Sequence, residues 1–394
     1  MYTVENSKHF TPWTNPQNGV VSYVLTTEVA PFTQTFYFVS PSSTKDGRYF
    51  WFYCAFPPNG LEEGSVKTLA RIDFETDEIM HFPQIQPKGS PLVDEDTGEV
   101  YWCTSSMILK RGPGKDDEIK LVCKPNLKHL VVANTKSASL GSGRIAGHLT
   151  FNHNKTKLII EPAGKDCSCL GTVDLASGEV ELWTDIMPGG WTHAQANPTQ
   201  PDTILYAMDY WSESRTGMRH IIDFDDNGKL MRSWVLRKGG EPQLIKPMYI
   251  ESSHEWWSAD GKKVFYCDWI KGIVRHNLET GKDDLVMPYG SRHGYATEDE
   301  KYYAGDVFLS LDGRGWFRGC SMQVRFYNSV TDKVIDIITQ SPELYTRDEA
   351  CVYHIDAHPR FVMGDRYVAY TTTALGCVGV AFTKLDYLKE LTGE

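Results

Sequence analysis

The sequence predicts an all-β fold, a seven-bladed β-propeller forming one domain over residues 1–394, and three observations carry that expectation. Seven segments can be laid over one another, beginning at Ser40, Ser90, His148, His193, His254, His293 and His358, with 39 to 65 residues between successive starts. Each runs through a polar turn, such as Lys45-Asp46-Gly47-Arg48, into an apolar strand ten or eleven residues on, at Phe50, Val100, Leu158, Ile204, Val264, Tyr303 and Val368. Five of the seven phase positions are histidine. Repeats of this length, each holding several short strands, mark a propeller, whose blades are four-stranded sheets around a central channel. Equivalent positions at the starts of the innermost strands then meet at one mouth of the channel, so the sequence gathers five imidazoles into a ring.

The elements follow in order. Blade 1 is read as strands at Phe36–Val39, Tyr49–Tyr53, Ala70–Phe74 and Ile79–Phe82, short and separated by polar turns as an all-β chain requires. Asp73–Glu78, Asp174–Glu179, Asn277–Lys282 and Asn328–Lys333 recur as tight turns between third and fourth strands, with Gly or Asp at the positive-φ position. Residues 107–143 and 309–325 read as the longest irregular stretches. The strand at Gly376–Phe382 is expected beside Val20–Leu25, closing the ring so that no sheet edge stays open, with a short helix or tail after Asp386.

Composition narrows the classes of function. A net charge of −11 argues against nucleic acid or an acidic membrane surface as partner, because both select for broad basic surfaces. No run approaches the ~18 apolar residues of a membrane helix. Aromatic residues at 12%, with 11 Trp and 20 Tyr, suit strands and carbohydrate-facing surfaces. Cys54, Cys103 and Cys267 fall three or four residues into equivalent strands and read as core, while Cys167 and Cys169 form a Cys-x-Cys with no second pair for a structural zinc site. The opening residues lack an apolar leader core, and the chain is expected as a secreted or periplasmic monomer whose leader is absent from this sequence.

Around the ring the sequence places chemistry. His293, His354, Asp356 and His358 have the imidazole and carboxylate character that a divalent ion such as calcium or manganese accepts, and a metal-free hydrogen-bonded plug is the other arrangement they allow. Tyr206, Tyr210, Trp211, Arg215 and Arg219 in blade 4, Arg144 before His148 and Arg292 before His293 are expected nearby. An arginine holds a carboxylate through two parallel hydrogen bonds, and a neutral His or a Tyr moves a proton. Those are the parts needed for β-elimination from a uronic acid, in which the carboxylate is neutralised, the C5 proton removed and the C4 oxygen expelled.

At these residues the chain resembles propeller sugar enzymes. The segments His193-Ala-Gln-x-x-Pro, Arg219-x-Ile-Ile and His254-Glu-x-Trp-Ser-x-Asp-Gly-Lys resemble oligogalacturonate lyases, which implies catalytic roles for Arg219 and His254 and a manganese ligand at His293. The family's Gln-x-x-His-x-His ligand motif is altered here to Tyr353-x-x-Asp356-x-His358. Longer segments, among them Gln34-Thr-Phe-Tyr-Phe-Val, Gly98-Glu-Val-Tyr-Trp-Cys-Thr and Tyr367-Val-Ala-Tyr-Thr-Thr-Thr, are similar to L-rhamnose-α-1,4-D-glucuronate lyases and related propeller rhamnosidases. The resemblance implies release of L-rhamnose from rhamnosyl-glucuronate ends of an acidic plant polysaccharide such as gum arabic or arabinogalactan. Together with the reading of the residues themselves, catalysis is expected at His193, Arg219, His254 and Tyr210, substrate binding at His148, Arg144, Arg292 and Trp211, and metal binding at His293 and His358 with His354 or Asp356 completing the set. The resemblance also places Gln34 on the opposite face, where hydrolytic members carry a histidine and lyases a glutamine.

Overall fold

A computed structural model describes residues 1–57, 67–125, 144–164, 167–185, 187–188, 191–208, 225–249, 251–309 and 320–394. They form seven blades, a small three-stranded sheet of Ala163–Gly164, Cys167–Ser168 and Met187–Pro188, and two short helices, Arg347–Tyr353 and Leu385–Leu391. Six blades are four-stranded sheets whose strands follow one another in chain order from the channel outward. The seventh has five, because Phe10–Thr14 and Val21–Leu25 complete a sheet built from Arg360–Val362, Tyr367–Thr372 and Gly379–Lys384. Tyr23 pairs with Phe382 and Val24 with Ala381, the closure expected from sequence.

The register explains why the repeat was readable. The residue three places after each phase position pairs with the start of the next strand in all seven blades: Ser43 with Phe50, Val93 with Val100, Phe151 with Leu158, Ala196 with Ile204, Trp257 with Val264, Ala296 with Tyr303 and Phe361 with Val368. Second strands are buried on both faces because neighbouring blades pack against each; Thr203–Met208 and Tyr367–Thr372 have no exposed residue. Fourth strands form the rim and carry exposed charge, as in Asp283–Met287. Between blades 1 and 2 the packing is aromatic, with Trp51, Tyr53, Phe82 and Trp102 in one cluster. Cys54, Cys103 and Cys267 are core residues, as their phase implies. The third-to-fourth-strand turns take positive φ at Asp77, Gly178, Gly281 and Asp332.

Three expectations are corrected. The stretch 107–143 is not irregular throughout: Ile108–Arg111 and Lys120–Cys123 are the outer strands of blade 2. Likewise Met322–Asn328 is the third strand of blade 6. The inner strand of blade 1 is Phe32–Gln34 rather than Phe36–Val39. Its next eight residues leave the sheet before pairing resumes at Ser43, and this excursion shapes the channel.

Candidate active site

The inner strands of blades 4 and 5 begin in register, then slip. Ser253 pairs with Cys267 and Trp256 with Phe265, so His254 and Glu255 together face one residue of the neighbouring strand; His193 and Ala194 do the same in blade 4. His193, His254 and His358 all adopt left-handed φ, at 58°, 58° and 46°. For a non-glycine residue that conformation costs about 1–3 kcal/mol and persists only where surrounding contacts impose it, commonly at functional sites. In blades 4 and 5 the bulge re-aims His193 and His254 toward the channel. All five ring histidines converge on one side chain, Tyr37, whose ring centroid lies 5.5 Å from His148, 5.5 Å from His193, 6.4 Å from His254, 6.5 Å from His293 and 5.1 Å from His358. The blade 1 excursion supplies it, together with Phe38, which packs edge-on to His254 and Trp256.

Buried carboxylates fix the ring from behind. Asp306, at 0% exposure, accepts from the backbone N–H of His293 (2.8 Å) and of His358 in the next blade (3.3 Å), and lies 2.9 Å from His293 Nδ1. An ionised carboxylate only accepts, so Nδ1 carries the proton and His293 presents its Nε2 lone pair. Glu161 stands at the same strand position in blade 3 and likewise bridges two blades, accepting from Gly147 N–H (2.8 Å) and Ala194 N–H (2.6 Å). Cys103 and Cys267 occupy that position elsewhere, so the phase that read as core also holds the acids that orient the ring. Beside His254, Glu255 is paired with the buried Arg232 (2.7 Å) and accepts from Ser233 Oγ (2.6 Å). Burial pushes the Glu255 carboxyl upward, but the adjacent guanidinium and these hydrogen bonds outweigh it and hold it below the usual range.

The ring has a deep side and an accessible side. His148, His293 and His358 are buried, whereas Tyr37, His193 and His254 keep part of their surface open. Burial, reinforced by neighbouring histidines, drives His148, His254 and His358 well below the ordinary imidazole pKa, so these rings are neutral near pH 7. His254 Nδ1 is 2.7 Å from Ser253 Oγ, which accepts from Trp269 Nε1 at 2.7 Å. His193 Nδ1 is 3.2 Å from Tyr37 Oη.

On the deep side, one donor atom each from His293, Asp356 and His358 lies within 4.8 Å of the other two. His358 Nε2 is buried with no hydrogen-bond partner among the described residues and sits 3.7 Å from Asp356 Oδ2. A lone imidazole nitrogen beside a buried carboxylate fits a divalent cation. The donor set of two nitrogens and a carboxylate suits a first-row transition ion better than calcium, which prefers oxygen ligands. Of the two sequence candidates for the third place, Asp356 supplies the donor atom in this group, whereas the His354 side chain is 42% exposed and 3.0 Å from Asp356. His354 therefore belongs behind the ligand.

Among the sequence-assigned cations, Arg144 reaches Thr192 Oγ1 (2.5 Å), next to His193, and Glu161 (3.4 Å). Arg292 stacks on Trp269 at 3.8 Å, directly behind His254. Tyr210, Trp211, Arg215 and Arg219 lie outside the described residues. Tyr206 lies opposite His193 on the neighbouring strand, but its side chain is 1% exposed and packs on Trp191 in the blade 4 core. Gln34 is not on an opposite face. It pairs with Tyr53 at the strand level at which Thr192 and Ser253 precede the ring histidines, so it sits at the height of the ring. Tyr37, Asp306, Glu161 and Arg232 escaped the sequence reading. Only the two acids left a signal there, as charged residues at an otherwise apolar strand phase.

No protein-family model and no curated protein matches the chain. Solved structures do. An oligogalacturonate lyase in complex with manganese superposes with a TM-score of 0.70 at 17% identity, over 96% of this chain and 97% of that one. Oligogalacturonate lyase from Vibrio parahaemolyticus superposes with a TM-score of 0.71 at 16% identity, over 95% and 96%. At that identity the likeness establishes the shared seven-bladed architecture over nearly the whole chain.

Proposed function

We propose that this protein is a carbon–oxygen lyase acting on uronate-containing saccharides. Its substrate, in this reading, is the rhamnosyl-α-1,4-glucuronate end of an acidic plant polysaccharide, converted to free L-rhamnose and a 4,5-unsaturated glucuronate. The observation that carries the reading is the accessible pair His193 and His254 beside the buried His293, Asp356 and His358 triad, with Arg144 and Arg292 flanking. A divalent ion held by that triad would supply positive charge to the substrate carboxylate and make the neighbouring C5–H more acidic. Arg144 and Arg292 offer guanidinium groups to the same carboxylate. His254, neutral because it is desolvated, removes the C5 proton, and the His193 side of the ring protonates the departing C4 oxygen. The C5–H and C4–O bonds break, a C4=C5 double bond forms, and the net proton movement is from C5 to the leaving oxygen.

Hydrolysis is the weaker reading. Most glycoside hydrolases use two carboxyl groups flanking the scissile bond. Among the described residues, the acids beside the ring, Glu161, Glu255, Asp306 and Asp356, are all buried and bonded to protein groups. Incubation with gum arabic, followed together for near-ultraviolet absorbance and free rhamnose, tests the proposal. Equal amounts of rhamnose and unsaturated ends are expected, with His193→Ala and His254→Ala each slower by ~10² or more. Rhamnose without unsaturation would make the protein a hydrolase. Unsaturated product from oligogalacturonate alone would keep the lyase and move the substrate.

A further inference from the structure

We propose that Tyr37 is the general acid of the reaction, delivering its phenolic proton to the departing C4 oxygen, with His193 as the group that restores it. The proposal rests on the lyase reading and names an atom that reading leaves open. Tyr37 stands within 6.5 Å of every ring histidine, centroid to centroid. It belongs to the accessible edge of the ring with His193 and His254, whereas the other three imidazoles are buried. Its Oη is hydrogen-bonded to His193 Nδ1 at 3.2 Å, a path by which a phenolate formed in the elimination recovers a proton. The excursion that carries it is anchored where movement would misplace the hydroxyl: Tyr37 N–H donates to Ser90 Oγ (3.1 Å) and Arg360 Nη1 to Phe38 O (2.8 Å).

The step balances without another reagent. The electron pair of the C5–H bond becomes the C4=C5 π bond as its proton passes to His254, the C4–O pair leaves with rhamnose, and that oxygen takes the Tyr37 proton. Exchange through His193 and solvent returns the proton from His254 to Tyr37.

Leaving-group dependence tests it. Tyr37→Phe keeps the aromatic ring that packs against the imidazoles and removes only the hydroxyl. The variant is compared with the wild type on rhamnosyl-glucuronate and on a 4-deoxy-4-fluoro-glucuronide, whose fluoride leaves without a proton, alongside denaturant unfolding of both proteins. A ~10²–10³-fold loss on the sugar substrate, with the fluoride rate within about threefold of wild type and an unchanged unfolding midpoint, is the expected result. Equal losses on both substrates would reduce Tyr37 to a positioning residue, and no loss on either would place the acid elsewhere; both outcomes overturn the proposal while leaving the lyase standing. A wild type that yields unsaturated product from neither substrate would overturn the lyase reading itself.

Discussion

At the scale of single residues, the ring works because its members differ in what lies behind them. His293 backs onto a carboxylate, His254 onto a serine and a tryptophan, and His193 onto a phenol. A carboxylate fixes the tautomer and leaves Nε2 as a ligand, whereas a hydroxyl lets an imidazole both give and take a proton. The sharpest consequence falls on Asp306. Asp306→Asn is nearly isosteric, yet an amide can face His293 with either its oxygen or its nitrogen and no longer enforces the Nδ1–H form. Divalent-ion affinity, measured by calorimetry on metal-stripped protein, is expected to fall about 10–100-fold. Unchanged affinity would show that the His293 tautomer does not matter to the ligand set.

At the scale of elements, the inner strands do two jobs by departing from regularity. A one-residue slip in blades 4 and 5 turns His193 and His254 into the channel, and the longer excursion of blade 1 fills the space between them. Phe38 is 1% exposed and contacts His254, His293 and Trp256, so it is the wedge that keeps the excursion seated. Phe38→Ala removes a large buried ring whose surroundings belong to two neighbouring blades and cannot all collapse inward. It is expected to cost about 3–5 kcal/mol in denaturant unfolding and to lower turnover by displacing Tyr37. A loss below about 1 kcal/mol would mean that the excursion is held by its backbone bonds alone.

At the scale of the whole molecule, closure and burial tie stability to pH. The ring is shut by N-terminal strands pairing with the last strand. That closed core holds His148 at 2% exposure, with desolvation, His193 and Arg144 all lowering its pKa. An unfolded imidazole titrates near about 6.5, the folded one well below. Between those values the unfolded chain binds the extra proton, so the stabilisation is complete above about pH 6.5 and is lost as pH falls through the window. Urea midpoints are expected to be flat above about pH 7 and to fall below it, with His148→Gln shallower by up to about 1.4 kcal/mol per pH unit. A stability maximum near pH 5 would contradict this.

The sequence by itself determined the architecture and the identity of the ring. Seven repeats, their strand phase and five histidines in one phase were readable because each blade pairs position three with the following strand start, a local register that repetition makes visible. The sequence could not disclose what the ring closes around. Tyr37 has no counterpart at its place in the other repeats, and only the excursion from blade 1 brings it to the centre. Asp306 lies thirteen residues from His293 and fifty-two from His358, yet holds both backbones because neighbouring blades face each other across one buried carboxylate. The choice of Asp356 over His354 as the third member has the same origin. Spacing along the chain makes them equivalent, and only the direction in which the backbone enters blade 7 leaves one at the surface and buries the other against two imidazoles.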